Sequence, residues 1–212
     1  ESRSDEINTC IGCNQACLDH VFSFKLASCL VNPRACNETS LNIEPASVRK
    51  HIVVVGAGPA GLAAATTAAQ RGHNVTLFDA ADEIGGQFNI AKQVPGKEEF
   101  YETLRYFAKQ LNLLQVNVRL NTRVDTAMLN AMNCDEVVLA TGILPRIPHI
   151  DGIEHHKVLS YVDVLKHKKN VGKKVAIIGA GGIGFDTAGF LSHGDANPSQ
   201  DIPAFMREWG ID

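Results

Sequence analysis

The sequence predicts an α/β protein with two nucleotide-binding folds in series, preceded by a cysteine-rich segment. An apolar run followed by a glycine-rich turn and a helix-forming segment occurs twice, at residues 51–71 and again at 174–192. Five of the six cysteines lie within the first forty residues. These features place the cysteine-rich segment at residues 1–50, the first fold at 51–150 and the start of the second fold at 151–212.

The composition excludes several classes of protein. Of the 212 residues, 45% are hydrophobic, which is enough to bury a core. Twenty basic against 23 acidic side chains give a net charge of −3, so a non-specific nucleic-acid binder is not expected. No apolar run approaches the roughly 20 residues that cross a bilayer, and the N-terminus is polar. We therefore expect no contact with nucleic acid or membrane, and a cytoplasmic location.

The first fold begins with a βαβ unit. The apolar run at 51–55 is typical of a buried parallel strand, an alanine-rich segment from Pro59 to Arg71 predicts a helix, and residues 74–79 predict the next strand. Apolar residues at helical spacing predict a core-facing helix over 97–111. Further strands are expected at 116–118 and 136–140.

The first glycine motif predicts a dinucleotide site. Gly56 would permit a tight turn, Gly58 would let the backbone approach a pyrophosphate, and Gly61 would let helix and strand pack closely. The N-terminus of the helix offers free N–H groups and a positive dipole to the pyrophosphate. Asp79 lies eighteen residues after Gly61, where its carboxylate would accept hydrogen bonds from ribose hydroxyls.

A second glycine motif repeats the first about 123 residues later. It consists of Gly179, Gly181 and Gly184, between a predicted strand at 174–178 and a predicted helix at 183–192. No strand ending in a charged residue is evident after Gly184. We therefore expect the chain to be a fragment that ends inside its second nucleotide fold.

Two further elements favour FAD on the first fold. Gly85, Gly86 and Gln87 follow Asp79 closely, and paired glycines let a backbone pass near a bulky cofactor. The run 140–142, which ends in Gly142, resembles a turn of flavoproteins that carry two nucleotide folds. By this resemblance the first fold is a Rossmann-like FAD-binding domain and the second binds a nicotinamide nucleotide; spacing alone would also fit NAD.

The cysteines favour an iron–sulfur cluster. Four soft thiolate ligands suit either tetrahedral zinc or a cubane [4Fe-4S] cluster. Three closely spaced cysteines and a remote fourth favour the cluster, with zinc or a disulfide framework as alternatives. Cys36 and Cys134 are expected to be small buried residues. The predicted ligands are Cys10, Cys13, Cys17 and Cys29.

With these residues assembled, the chain resembles the bacterial NADPH-dependent 2,4-dienoyl-CoA reductases, a family of iron–sulfur flavoproteins. Trimethylamine dehydrogenase is a close relative of that family. The resemblance spans essentially the whole chain, and its matching stretches are residues 10–17, 29–33, 56–61, 85–88, 140–146 and 177–185.

The resemblance implies a function and a set of cofactor contacts. In that family NADPH reduces FAD, a [4Fe-4S] cluster passes the electrons on singly, and FMN on a barrel domain reduces an unsaturated fatty acyl-CoA during β-oxidation. The barrel, its FMN, the 2,4-dienoyl-CoA substrate site and the catalytic acid would lie outside this chain, so no catalytic residue is expected here and the chain alone should be inactive. The positions carried over for FAD are Ala60, Asp79, Gln87, Lys97 and the backbone at Val124.

Other readings remain open. Within the enzymes, a related flavin enoate reductase or amine dehydrogenase would have the same architecture. In a different class, the chain would be a zinc-stabilised nucleotide-binding module without a redox role.

Overall fold

The computed structural model describes residues 3–193 and 201–211, and within them it shows an α/β structure around a four-stranded parallel sheet. The strand order is β3-β2-β1-β4, with every neighbouring pair parallel. The carboxyl ends of the strands therefore share one edge, where open α/β sheets bind their ligands. The strands are β1 (His51–Val55), β2 (Asn74–Phe78), β3 (Asn117–Arg119) and β4 (Glu136–Leu139).

Helices cover the connections between the strands and much of the later sequence. A short 3-10 turn at Ser4–Glu6 precedes them. The α-helices of the described residues are α1 (Leu18–Phe22), α2 (Pro59–Gln70), α3 (Phe88–Ala91), α4 (Glu99–Leu113), α5 (Thr126–Ala131), α6 (Tyr161–Leu165), α7 (Gly182–Ser192) and α8 (Ile202–Glu208).

The main core confirms the βαβ prediction. Leu62 and Ala65 of α2 are fully buried against the sheet, together with Val54 of β1 and Leu77 of β2. The predicted core-facing helix is α4, which buries Leu104 and Leu111 in the same core. It begins at Glu99 rather than at residue 97, because Gly96 (φ +81°) and the bond from the Lys97 N–H to the Val94 carbonyl form a turn there.

The chain divides into two compact units. The first contains residues 1–88 and 99–144, and the second contains residues 89–98 and 145–212. The second unit has its own small core of Ile90, Val94 and Leu165, with Phe190 packed against it. The domain boundaries expected at residues 50 and 150 stay a prediction.

The strand predicted at 174–178 is wrong. This stretch is irregular, and Val175 and Ile178 are 49% and 76% exposed. A strand exists only where a neighbour completes its ladder of hydrogen bonds, and no strand of the described residues pairs with this stretch. An apolar run indicates that a segment tends to be buried, but it does not show that a partner strand is available.

A separate structural observation concerns membranes. No helix of residues 3–193 and 201–211 combines the length and the apolar character needed to cross a bilayer.

Candidate functional site

The first glycine turn joins β1 to α2 at the carboxyl edge of the sheet. Gly56 has φ +109°, and Gly58 is the extended N-cap of α2 with φ −75° and ψ 179°. A Cβ at Gly61 would lie 1.7 Å from the Gly56 carbonyl oxygen, and a Cβ at Gly56 would lie 2.2 Å from the Ala140 carbonyl oxygen. The backbones of α2, the turn and the segment after β4 are thus in direct contact, and the close packing predicted at Gly61 is confirmed.

The second glycine pair packs against this turn. The Gly85 N–H donates to the Ala57 carbonyl at 2.7 Å, and a Cβ at Gly86 would lie 3.0 Å from the Gly58 Cα. Gly86 therefore allows a close backbone approach, as expected, but the backbone it approaches is the protein's own turn. Contact of Gly58 with a pyrophosphate stays a prediction.

Asp79 follows β2 directly and ties the turn to the next loop. Its Oδ2 accepts a hydrogen bond from the Ala57 N–H at 2.6 Å, and its Oδ1 accepts one from the Ala81 N–H at 2.8 Å. The side chain is half-buried, and each carboxylate oxygen keeps a further lone pair. Asp79 thus links the glycine turn to the loop after β2, a structural role that the sequence did not indicate. Its binding of a ribose stays a prediction.

The other residues carried over for the first fold lie around the same unit. Ala60 is exposed in the first turn of α2, and Gln87 is exposed just before α3. Val124 is half-buried between β3 and α5. Gly142 follows β4 with φ +74° and open space where its Cβ would be, so it is required by backbone conformation rather than by crowding.

Lys97 belongs to the second unit and forms an ion pair there. Its Nζ lies 2.6 Å from Asp186 Oδ2 on α7, with both side chains partly exposed. The partners are 89 residues apart, so the sequence gave no indication that Lys97 and Asp186 would form an ion pair. A role of Lys97 toward FAD stays a prediction.

The second glycine turn reproduces the first. Gly179 has φ +116°, Gly181 is the extended N-cap of α7 with φ −88° and ψ −177°, and a Cβ at Gly184 would lie 2.0 Å from the Gly179 carbonyl oxygen. The predicted internal repeat is therefore confirmed for the turn and the helix start, although the segment before them is not a strand.

Hydrogen bonds draw the cysteine-bearing segments together. The Ser28 N–H donates to the Ala16 carbonyl at 2.7 Å, which joins the residue before Cys29 to the residue before Cys17. Asn8 Nδ2 donates to the Val31 carbonyl at 2.6 Å. Both bonds connect the sequence around the remote cysteine to the sequence around the clustered ones, although the loop between them is eleven residues long.

The predicted ligands are free thiols that suit either an iron–sulfur cluster or zinc. All six cysteines are free thiols, and the Gly12 N–H donates to Cys10 Sγ at 3.4 Å. Gly12 (φ +64°) and Asn14 (φ +56°) make turns of the kind that present N–H groups to sulfur clusters. Among the described residues, no group of three or more His, Cys, Asp or Glu is already arranged to hold a metal ion. The iron–sulfur cluster and its zinc alternative both stay predictions.

The expectation that Cys36 is buried is wrong. Cys36 is exposed in a turn with φ +61°, and its N–H donates to Glu38 Oε1 at 3.1 Å. Cys134 is half-buried.

Comparison with known proteins identifies the family. Residues 50–197, which contain both glycine turns and Asp79, match the family described as pyridine nucleotide-disulphide oxidoreductase. The chain belongs to this family.

Several similar proteins are named as reductases of different substrates. A metal reductase of Desulforamulus reducens is 40% identical over 95% of this chain and 31% of its own length. A cinnamate reductase of Clostridium sporogenes is 36% identical over 90% of this chain and 28% of its own length. The solved structure of a 2-naphthoyl-CoA reductase superimposes with a TM-score of 0.84 and 33% identity over 98% of this chain and 34% of that one.

These matches establish the chain's general chemistry. It spans about a third of the length of the curated relatives it matches. The matched family is one of oxidoreductases, and the chain has a Rossmann-like fold of the type that binds FAD and nicotinamide nucleotides.

Proposed function

We propose that the chain is the electron-input module of an NADPH-dependent 2,4-dienoyl-CoA reductase. FAD would be held by the first fold, NADPH by the second, and a [4Fe-4S] cluster by Cys10, Cys13, Cys17 and Cys29. FMN and the 2,4-dienoyl-CoA would be held by a barrel domain outside this sequence. The observation that supports the proposal most strongly is that the hydrogen-bonded cysteine segments and the first glycine turn belong to the same compact unit.

The first fold presents a binding edge that suits a dinucleotide. The extended Gly58 leaves the first N–H groups of α2 without helical partners, and the helix dipole places partial positive charge there. Asp79 accepts a hydrogen bond from the Ala57 N–H, which helps to hold the turn in shape, and one from the Ala81 N–H of the next loop. An anionic pyrophosphate would therefore find a preformed site.

The cysteine segment supplies soft ligands held in a defined loop. When bound, FAD would accept two electrons as a hydride and the cluster would carry electrons singly. The Gly12 N–H donates to Cys10 Sγ at 3.4 Å and would help to hold this ligand in place. Six free thiols also suit a reducing compartment, which supports a cytoplasmic location.

A conjugated acyl thioester is the substrate class that we propose. The support is the sequence resemblance, together with the match to a protein named for reduction of an aromatic acyl-CoA and to one named for reduction of cinnamate, a conjugated acid. A second branch, amine dehydrogenation, is represented by a related protein and remains the competing outcome in the test.

The test uses the full-length protein purified without oxygen. We expect about four irons and four acid-labile sulfides per chain, bound FAD, and NADPH-dependent reduction of a 2,4-dienoyl-CoA. Cinnamate and dimethylglycine are assayed in parallel. Zinc in place of iron would refute the cluster, and dimethylglycine oxidation without dienoyl-CoA reduction would refute the substrate class.

A further inference from the structure

Arg105 of α4 contacts the segment that leads into Cys10. Its Nη2 donates to the Ile7 carbonyl at 2.9 Å and to Thr9 Oγ1 at 3.3 Å, and its Nη1 donates to the Ser4 carbonyl at 3.5 Å. Thr9 immediately precedes Cys10. One guanidinium from the first fold thus binds a stretch of chain nearly one hundred residues away in sequence.

The guanidinium is itself held in place. Its Nε donates to Glu102 Oε2 at 2.7 Å, one helical turn away on α4, and the Arg105 side chain is 30% exposed. A planar guanidinium has five N–H donors, so it can donate hydrogen bonds to the carboxylate, to backbone carbonyls and to a hydroxyl at the same time, which a lysine cannot do. The arrangement therefore depends on arginine chemistry rather than on positive charge alone.

Polar contacts are the main attachment of this segment. Ile7 is 62% exposed, so burial of its apolar side chain contributes little to holding the segment. Lys109 of α4 pairs with Asp5 at 2.7 Å, but this pair is partly exposed and Asp5 lies five residues before Cys10 in the sequence. Asn8 lies between Ile7 and Thr9, both of which Arg105 contacts. Its Nδ2 donates a hydrogen bond to the Val31 carbonyl, two residues after Cys29.

We infer that Arg105 is a positioning residue for the iron–sulfur site: it fixes the segment before Cys10 to α4, and through Asn8 it also braces the segment after Cys29. The inference rests on the proposed function, because it assumes that these cysteines bind a cluster. Outer contacts of this kind fix the ligand geometry of metal sites and control access of water to them.

The experiment compares three variants of the full-length protein purified without oxygen. Arg105→Ala removes all the contacts, Arg105→Lys keeps the charge without the planar fork, and Lys109→Ala removes only the pair with Asp5. The measurements are iron and sulfide per chain, the EPR signal and midpoint potential of the reduced cluster, FAD content, and amide exchange of residues 4–10 in iron-free protein.

We expect Arg105→Ala to lose at least two thirds of its iron and to exchange the amides of residues 7–10 at least tenfold faster, with FAD content unchanged. Arg105→Lys should fall between wild type and Arg105→Ala, and Lys109→Ala should keep wild-type iron and EPR signal. Wild-type iron, EPR signal, potential and amide protection in Arg105→Ala would overturn the inference.

The remaining outcomes are also decisive. If Arg105→Ala also loses FAD, the Arg105→Lys variant decides the question. Loss of iron with FAD retained in Arg105→Lys would support the inference, whereas loss of both iron and FAD in that variant would overturn it. A wild-type protein without iron and sulfide would refute the proposed cluster and this inference together, whereas a loaded wild type with unaffected variants would refute the inference alone.

Discussion

Replacing Asp79 with alanine should destabilise the first fold even when no nucleotide is bound. The carboxylate accepts hydrogen bonds from the Ala57 and Ala81 N–H groups, at 2.6 and 2.8 Å. A hydrogen bond to a charged group contributes about 1.5–3 kcal/mol. Because Asp79 is only half-buried, the lower value is appropriate, and the two bonds together give about 3 kcal/mol.

The measurement is urea unfolding of FAD-free protein, followed by far-UV circular dichroism. Asp79→Asn is the informative partner variant, since its amide oxygen can replace only one of the two acceptors, so about half the loss is expected. Asp82→Ala, which removes an exposed acid of the same loop, is the control and should unfold like wild type.

FAD retention separates the two roles of Asp79. Loss of ribose contacts together with a loosened turn should reduce flavin retention in Asp79→Ala by at least tenfold. If Asp79 served only the ribose, the FAD-free variant would unfold like wild type while flavin was still lost. An unchanged unfolding midpoint in FAD-free Asp79→Ala would therefore refute the structural role derived from the two bonds.

Three further predictions concern packing, ligands and pH. Gly61→Ala should cost about 3 kcal/mol, because its Cβ would lie 1.7 Å from a carbonyl oxygen. Gly189→Ala, in open helical space, should be neutral or stabilising by up to about 1 kcal/mol in the same urea unfolding assay. Cys29→Ser should abolish iron–sulfur absorbance and Cys36→Ser should not; retained iron in Cys29→Ser would contradict the ligand assignment. Hydrogen bonds from Lys169 and Ser160 hold the pKa of Asp163 well below its ordinary value. The stability that Asp163 gives α6 is thus fully present above about pH 4 and is lost as the pH falls through the lowered pKa of Asp163. The protection factors of the α6 amides, corrected for the intrinsic pH dependence of exchange, should fall in the same range, and Asp163→Asn should remove that pH dependence.

The elements that could be predicted from the sequence are those decided by local stereochemistry and periodicity. The apolar run before Gly56, the alanine-rich helix and the spacing to Asp79 specify a βαβ unit, because each feature acts over only a few residues. The same reasoning located α4 from its apolar spacing to within two residues at each end.

Features that depend on distant partners could not be predicted. Nothing near Arg105 in the sequence indicates Ile7 or Thr9 as partners, and nothing near Asp79 indicates that Ala57 would bind its carboxylate. For the stretch 174–178, the sequence predicted an element that the structure lacks. Its composition suits a strand, but strand pairing depends on residues elsewhere in the chain.

The two glycine turns show where local sequence stops determining a site. Their backbones agree closely, with φ +109° at Gly56 and +116° at Gly179, so a similar motif gives a similar turn. Their surroundings differ: the Cβ direction of Gly56 meets the Ala140 carbonyl at 2.2 Å, whereas that of Gly179 meets nothing within 4 Å among the described residues. The first turn is also held by Asp79. A glycine motif therefore supplies the shape of a phosphate-binding turn, and neighbouring strands and an acidic residue supply the rigidity that keeps the shape available to a ligand.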